Sequence, residues 1–222
     1  MQVEEAISQR RSVRQYLPRQ VEKDKLQRLL KLSQRAPTWK NAQAYRIYAV
    51  QGESLQRISQ QFIAEIEKGT PEHSDFPYQE GYPSYIRKRM MELGKSYFSY
   101  MGVDRKDKEK RKELFLKNYM FFGAPCALFF FMEKGMEYWP TLDLGILLGN
   151  IMLAARAEGL ETIAQASLAA FPEAVKQELK IEENWNLAVG MSIGYEDTAA
   201  KINNFPTERA GLSEVVDFIG FD

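Results

Sequence analysis

Three arginines fall within five positions of QRRSVRQYLP, residues 9–18: Arg10, Arg11 and Arg14, with Ser12 among them. A guanidinium offers a planar fork of donors that matches phosphate or carboxylate oxygens, and a serine hydroxyl adds one more donor. Alone, such a run reads as a solvated charge patch as readily as an anion site. A second patch is RAPTWKNAQAY, residues 35–45. Thr38, Asn41 and Gln43 are short polar side chains suited to hydrogen bonding a planar heterocycle or a polyhydroxylated chain, and Trp39 adds an apolar face. Read without its neighbours, this patch is a capped loop. The chain has one histidine, His73, and one cysteine, Cys126, which leaves little room for a zinc site or a serine–histidine triad and implies no metal.

The balance of charge narrows the partners. Lys plus Arg number 30 and Asp plus Glu number 30, so the basic cluster is local and any anion it serves is small. A nucleic-acid binder normally carries a basic excess, and none is expected here. A lone cysteine excludes an internal disulfide framework, and Cys126 within PCALFFF reads as a small buried hydrophobe. The start, MQVEEAISQRR, has no apolar core like that of a signal peptide, and CALFFFM is too short to span a bilayer. No membrane association is expected, and the chain reads as cytoplasmic.

These residues need elements to position them. Residues 2–10 read as a short helix with Val3, Ala6 and Ile7 on one face. Residues 22–35 read as another, through Leu26, Leu29, Leu30 and Ser33, with Pro37 setting the stop. YRIYAVQ, 45–51, alternates like a strand, and a helix follows from Ser54 to about Gly69. The stretch 70–113 is rich in Pro, Gly, Tyr and charge. Its run DRKDKEKRKE reads as a solvated helix face and its tyrosines as a cover over a site. APCALFFFM reads as a fully buried strand, and TLDLGILLGNIMLAARAEGL, 141–160, as a helix apolar nearly all round. Such a helix lies in a large core, between subunits, or both. ETIAQAS reads as a strand with its turn, PEAVKQEL as a short helix opened by proline, and NLAVGMSIGY as a last strand. Strands alternating with helices give an α/β or α+β protein.

RRSVRQY, APTWKNAQAY ahead of a strand, DLGILLGNIMLAARAEGLET, GMSIGYED and NNFPTER occur in an order and spacing that resembles the FMN-dependent nitroreductases, across essentially the whole chain. The middle portion, from GYPSYIRKR to CALFFFM, is similar to the subgroup of nitrobenzene and nitrobenzoate reductases. The resemblance implies a single α+β domain over 1–222, with a mixed β-sheet flanked by helices in an intertwined homodimer. Residues 70–113 then form a variable lid and 196–222 a C-terminal extension. It further implies that Arg10, Arg11, Ser12 and Arg14 hold the phosphate and ribityl end of FMN. Arg10 and Arg14 are the expected direct phosphate contacts. Pro37, Thr38, Trp39 and Asn41, with Gln43, then reach the flavin of the partner subunit. Gln165, Ala166 and Ser167 lie beside the ring, and Arg209 returns to the phosphate. Two positions depart from the family pattern: Ala44 follows Gln43 where many members have proline, and Thr207 stands where some carry a lysine. Tyr82, Tyr85 and Arg87 are candidates for the edge of the flavin, with structural roles favoured.

No acid–base pair is required, because the flavin would carry the chemistry and no side chain is expected to be catalytic. NADH or NADPH would donate hydride, and a small aromatic acceptor, nitroaromatic or quinone-like, would take two electrons in a ping-pong cycle. No GxGxxG fingerprint of a separate nucleotide domain follows a strand. A reductive dehalogenase or other ring-modifying flavoenzyme of the same fold, and a non-catalytic flavin-binding protein, are the alternatives.

Overall fold

The computed structural model describes residues 2–221. Four strands, β1 (Tyr45–Gln51), β2 (Cys126–Glu133), β3 (Glu161–Gln165) and β4 (Trp185–Gly194), form one sheet in the order β1-β2-β4-β3. All three pairings are antiparallel. The mixed sheet that the resemblance implies is therefore not made by these four strands alone. The connections explain why. Helix α6 (Tyr138–Ala157) carries the chain from β2 to β3, which run parallel to each other, and β4 then returns between them, antiparallel to both.

β2 is the centre of the molecule. Every residue from Cys126 to Met132 is buried, because its two faces meet two different cores. Ala127, Phe129 and Phe131 face Ile58 and Phe62 of α3 (Glu53–Lys68) and Val175 of α7 (Pro172–Leu179). Cys126, Leu128, Phe130 and Met132 face Leu26 and Leu29 of α2 (Lys23–Ser33) and Leu147 and Ile151 of α6. The period-2 alternation of a strand sorts the side chains between the layers, and a continuous apolar run is its signature when both faces are covered. Burial pushes the Cys126 thiol up to about 12, so it stays a neutral hydrophobe. Gly190 of β4 has no Cβ because one would lie 2.5 Å from that of Leu168. The sheet can therefore close on the turn that follows β3.

Residues 70–113 contain more helix than their composition suggests. After an extended strap come α4 (Ser84–Met101) and α5 (Lys108–Leu116), the latter capped by Asp107, which accepts from the Lys110 N–H. The strap is tied to the body along its length. Asp75 pairs with Lys176 at 2.7 Å and accepts the Leu187 N–H, and Glu72 accepts from the Tyr119 hydroxyl. His73 joins Glu173 at 2.5 Å and the Pro71 carbonyl at 3.1 Å.

The His73 contacts make the strap sensitive to pH. Hydrogen bonding to the Pro71 carbonyl, then to Glu173, with Glu65 nearby, raises the imidazole above its ordinary 6.5. The folded state thus favours the protonated ring. Its contribution is complete below the ordinary value and lost as pH rises through the raised one. Both partners are exposed, so the effect is about 1 kcal/mol or less. Amide exchange across residues 70–78 is expected to speed up as pH passes upward through that window, beyond the intrinsic base-catalysed trend. A His73→Gln variant should show the intrinsic trend alone. Equal behaviour of the two proteins would remove His73 as the cause.

Candidate functional site

The arginine motif leaves α1 (Val3–Gln9) in an extended conformation beside the sheet. The Val13 N–H donates to the Thr162 carbonyl of β3, and Tyr16 bridges to Glu196 beyond β4. Val13 and Tyr16 are buried, so the motif is anchored by its apolar members. Asn203 fastens the other side: its Oδ1 accepts the Arg14 N–H at 2.7 Å, and its amide donates to the Gln15 and Asp197 carbonyls.

The three guanidiniums have different surroundings. Arg11 donates to both Glu196 oxygens at 2.7 Å and to the Asn203 carbonyl at 3.1 Å. Arg14 is half-buried; among the described residues its guanidinium donates only to the Ser12 carbonyl, at 3.2 Å, and it lies 5.8 Å from the centre of the Tyr97 ring. Burial lowers its pKa, the mark of a cation removed from water without a full counter-charge. Neither Arg10 nor Arg14 has a carboxylate within ion-pair distance among the described residues. Arg10 and Arg14 thus lack, among the described residues, the carboxylate partner that Arg11 has, and Ser12 lies between them in sequence.

The second patch is a strained turn. A 3-10 turn, Trp39–Asn41, follows α2, and Lys40, Asn41 and Gln43 all have positive φ, at 48°, 59° and 48°. Left-handed non-glycine residues cost about 1–3 kcal/mol each and persist only where neighbours over-determine them. Within the loop, the Thr38 hydroxyl oxygen accepts the Gln43 N–H, and the Gln43 side chain donates to Asn41. From outside, both oxygens of Asp143 on α6 take the Trp39 N–H, at 3.0 and 2.9 Å. Trp139 stacks on Trp39, with centroids 5.0 Å apart and planes 15° apart. Pro37, Trp39, Asn41 and Gln43 are exposed and Thr38 half-buried.

At the end of β3 the Gln165 side chain turns inward, donating to the Asn118 carbonyl at 3.0 Å and accepting from Ser192. Ala166 and Ser167 begin a 3-10 turn, and Ala166 is exposed. The Ala166 carbonyl accepts from the Tyr78 hydroxyl at 3.4 Å, so the strap delivers an aromatic ring to this turn. Tyr78 and Asp143 are absent from the sequence-based site. Asp143 had a readable sign, a lone carboxylate in an apolar helix, whereas Tyr78 stands in a stretch without periodicity. Tyr82 and Tyr85 are exposed, the latter beneath Arg89 of α4. Arg209 is exposed and, among the described residues, its side chain donates only to the nearby Thr207 and Glu208 carbonyls.

One chain does not bring the two patches together. Asp143, near the start of α6, holds the loop 38–43, while Arg156, near its end, donates to Gln9 beside the arginine motif at 2.9 Å. Thirteen residues of helix separate them, about 20 Å at 1.5 Å per residue. The face of α6 opposite its buried stripe carries Leu142 and Ile146, both exposed. Val3 and Ile7 of α1 are exposed as well, so only Ala6 of the apolar face expected for that helix is covered.

Comparison with known proteins places this architecture. The family model described as the nitroreductase family matches residues 7–195. The chain is 29% identical over 217 residues to a 4-nitrobenzoate reductase of Pseudomonas putida, covering 97% of this chain and 95% of that protein. It is 30% identical over 217 residues to nitroreductase NfnB of Mycolicibacterium smegmatis, covering 97% and 92%. Among solved structures, the FMN- and NADPH-dependent nitroreductase NfnB of a sphigopyxis strain superposes with a TM-score of 0.94 at 32% identity, with complete coverage of both chains. The FMN-dependent NfnB of Mycobacterium smegmatis, in complex with NADPH, gives 0.93 at 29% identity over 97% of each. No helix among the described residues is long and apolar enough to cross a membrane. The chain belongs to the nitroreductase family.

Proposed function

We propose that this protein is an FMN-dependent NAD(P)H oxidoreductase that reduces flat, electron-poor aromatics such as nitrobenzoates or quinones, and that it works as a homodimer in the cytoplasm. The observation that carries the reading is the pair of uncompensated guanidiniums, Arg10 and the half-buried Arg14, beside the Ser12 hydroxyl. A phosphate monoester fits that donor set, supplying the counter-charge that burial of Arg14 calls for. The dimer reading is supported by the roughly 20 Å of α6 between Asp143 and Arg156, which contact the two patches separately, and by the exposed Leu142 and Ile146 on that helix. Two copies packed antiparallel through that face set the loop 38–43 of one beside the arginines of the other, as an isologous interface requires.

When bound, FMN supplies a two-electron relay between nicotinamide and acceptor. The protein supplies the position of the reactants and the field around them. Arg10, Arg14 and Ser12 would hold the phosphate, and Arg11, kept in place by Glu196, would serve the ribityl chain. The first N–H groups of the 3-10 turn at Ala166 and Ser167 lack partners inside it and favour negative charge on the ring beside them. Tyr78, held at the Ala166 turn, and the Trp39 loop of a second copy would supply the aromatic walls against which a flat acceptor could stack. Arg209, free of any carboxylate among the described residues, completes the phosphate site from the C-terminal segment.

The solved relatives named with a donor use NADPH, which makes it the first donor to try. The purified protein is expected to be yellow, to bleach anaerobically with NADPH, and to recover its colour with 4-nitrobenzoate or menadione. A colourless protein that neither takes up FMN nor oxidises either nicotinamide overturns the reading. Tight FMN with no turnover towards any acceptor would leave a flavin-binding protein instead.

A further inference from the structure

We propose that Asp143 and Trp139 are positioning residues, which hold the strained loop 38–43 in the one shape that meets the partner's flavin. The proposal rests on the reading above, in which that loop is part of the flavin site. Three independent features converge on the loop. Its backbone is left-handed at Lys40, Asn41 and Gln43, so it does not keep this form by local preference. Asp143 is buried, and its only hydrogen-bond donor among the described residues is the Trp39 N–H, shared between both carboxylate oxygens. A buried carboxylate committed to a single backbone N–H on another element is costly unless that contact serves something. Trp139, four residues before Asp143 and on the same helical face, stacks on the Trp39 ring almost in parallel.

The carboxylate therefore fixes where the loop starts and the indole fixes which way Trp39 faces. Both come from α6, the helix whose exposed apolar face forms the proposed dimer contact. The grip and the interface are thus one rigid element, and the loop is carried to the partner's site already shaped. Rigid support of this kind decides whether a site is tight or loose by an ångström.

The test uses the dimeric holoprotein, with Asp143→Leu, Asp143→Asn, Trp139→Ala and Trp139→Phe. FMN affinity is measured for all four, and, for the two Asp143 variants, the circular-dichroism couplet of the stacked Trp39–Trp139 pair as well. Asp143→Leu, which deletes the acceptor, is expected to lose the couplet and to bind FMN roughly tenfold to hundredfold more weakly, the range for a hydrogen bond to a charged group. Asp143→Asn keeps one acceptor and should recover most of both. Trp139→Ala should weaken FMN by roughly twofold to tenfold, with Trp139→Phe restoring it. Trp139 is half exposed, so this second pair folds even where Asp143→Leu does not.

An unchanged couplet together with unchanged FMN affinity in Asp143→Leu overturns the positioning role. Full FMN affinity in Trp139→Ala overturns the part assigned to the indole. A lost couplet with full FMN affinity overturns the proposal through its premise, because the loop would then be held by Asp143 without touching flavin. The reading of the arginines stands apart from all three outcomes, since it is decided by Arg14.

Discussion

An Arg14→Met variant is expected to bind FMN roughly tenfold to hundredfold more weakly than the parent chain, while its apoprotein melts no lower. The two halves of this expectation come from one observation. Arg14 is half-buried with no carboxylate at ion-pair distance among the described residues, so its guanidinium bears a desolvation cost that the Ser12 carbonyl and the Tyr97 ring offset in part and a bound anion would offset further. Met has similar reach and no charge, so it removes both the anion's partner and that cost. Arg11→Met should behave in the opposite way. It strips Glu196 of its partner, and that side chain is only 9% exposed, so about 1–3 kcal/mol of stability is lost while FMN affinity suffers less. Flavin-fluorescence titration and calorimetry on both variants give the four numbers. Wild-type FMN affinity in Arg14→Met, or a marked drop in its melting temperature, would show that this arginine is structural.

The largest loss of stability is expected at Arg156→Met. Arg156 and Glu161 form an ion pair whose side chains are 8% and 13% exposed, and Arg156 also donates to Gln9 at 2.9 Å. Its Nε has no partner, so the pair is held without full compensation. Removing one member of such a pair costs about 3–5 kcal/mol, and roughly 10 °C in melting temperature for a chain of this size. Burial already raises Glu161 above the usual carboxylate range, with Arg156 opposing. Without Arg156 the raising influences of burial and of Glu196 are opposed only by the charge of Arg11. The folded state then binds a proton more tightly than the unfolded chain, so the deficit is largest at neutral pH and shrinks as pH falls through the raised value. Urea unfolding near pH 8 and near pH 5 should show this narrowing, and adding Glu161→Gln should recover much of the loss. A deficit independent of pH would place the cost elsewhere, in packing around α6.

Most of the elements were legible because their patterns are strong. β1 falls on residues 45–51 as read from its alternation, and α7 on 172–179 as read from its opening proline. The fully buried β2 was legible from CALFFFM for the same reason that it is buried: both of its faces are apolar. α4 was not. Tyr, Met and charged residues are spread around it, no residue on it is buried, and its packing runs through contacts such as Tyr97 on Phe205 that link distant segments. The antiparallel sheet could not be read either, since strand order depends on how α6 returns the chain. Within the candidate site, the residue types of the arginine motif suggested an anion, but the Arg11–Glu196 pair is what separates that guanidinium from Arg10 and Arg14, which have no carboxylate partner among the described residues. That pair spans 185 positions, and no local pattern announces it.

The placement of β2 has a consequence for how the chain is made. The most apolar segment of the protein is central in the sheet, with β1 on one edge and β4 on the other. β1 leaves the ribosome first, but β4 begins at Trp185, some fifty residues after β2 ends, and α6 arrives between them. At 5–20 residues per second, CALFFFM waits roughly 3–10 s with one edge unpaired and one face uncovered. Such a segment, rich in strand formers and free of charge and proline, is the kind that pairs with copies of itself. Synthesis, more than final stability, is the stage at which this protein is most exposed to aggregation, and substitutions that slow the docking of β4 should reduce soluble yield before they reduce melting temperature.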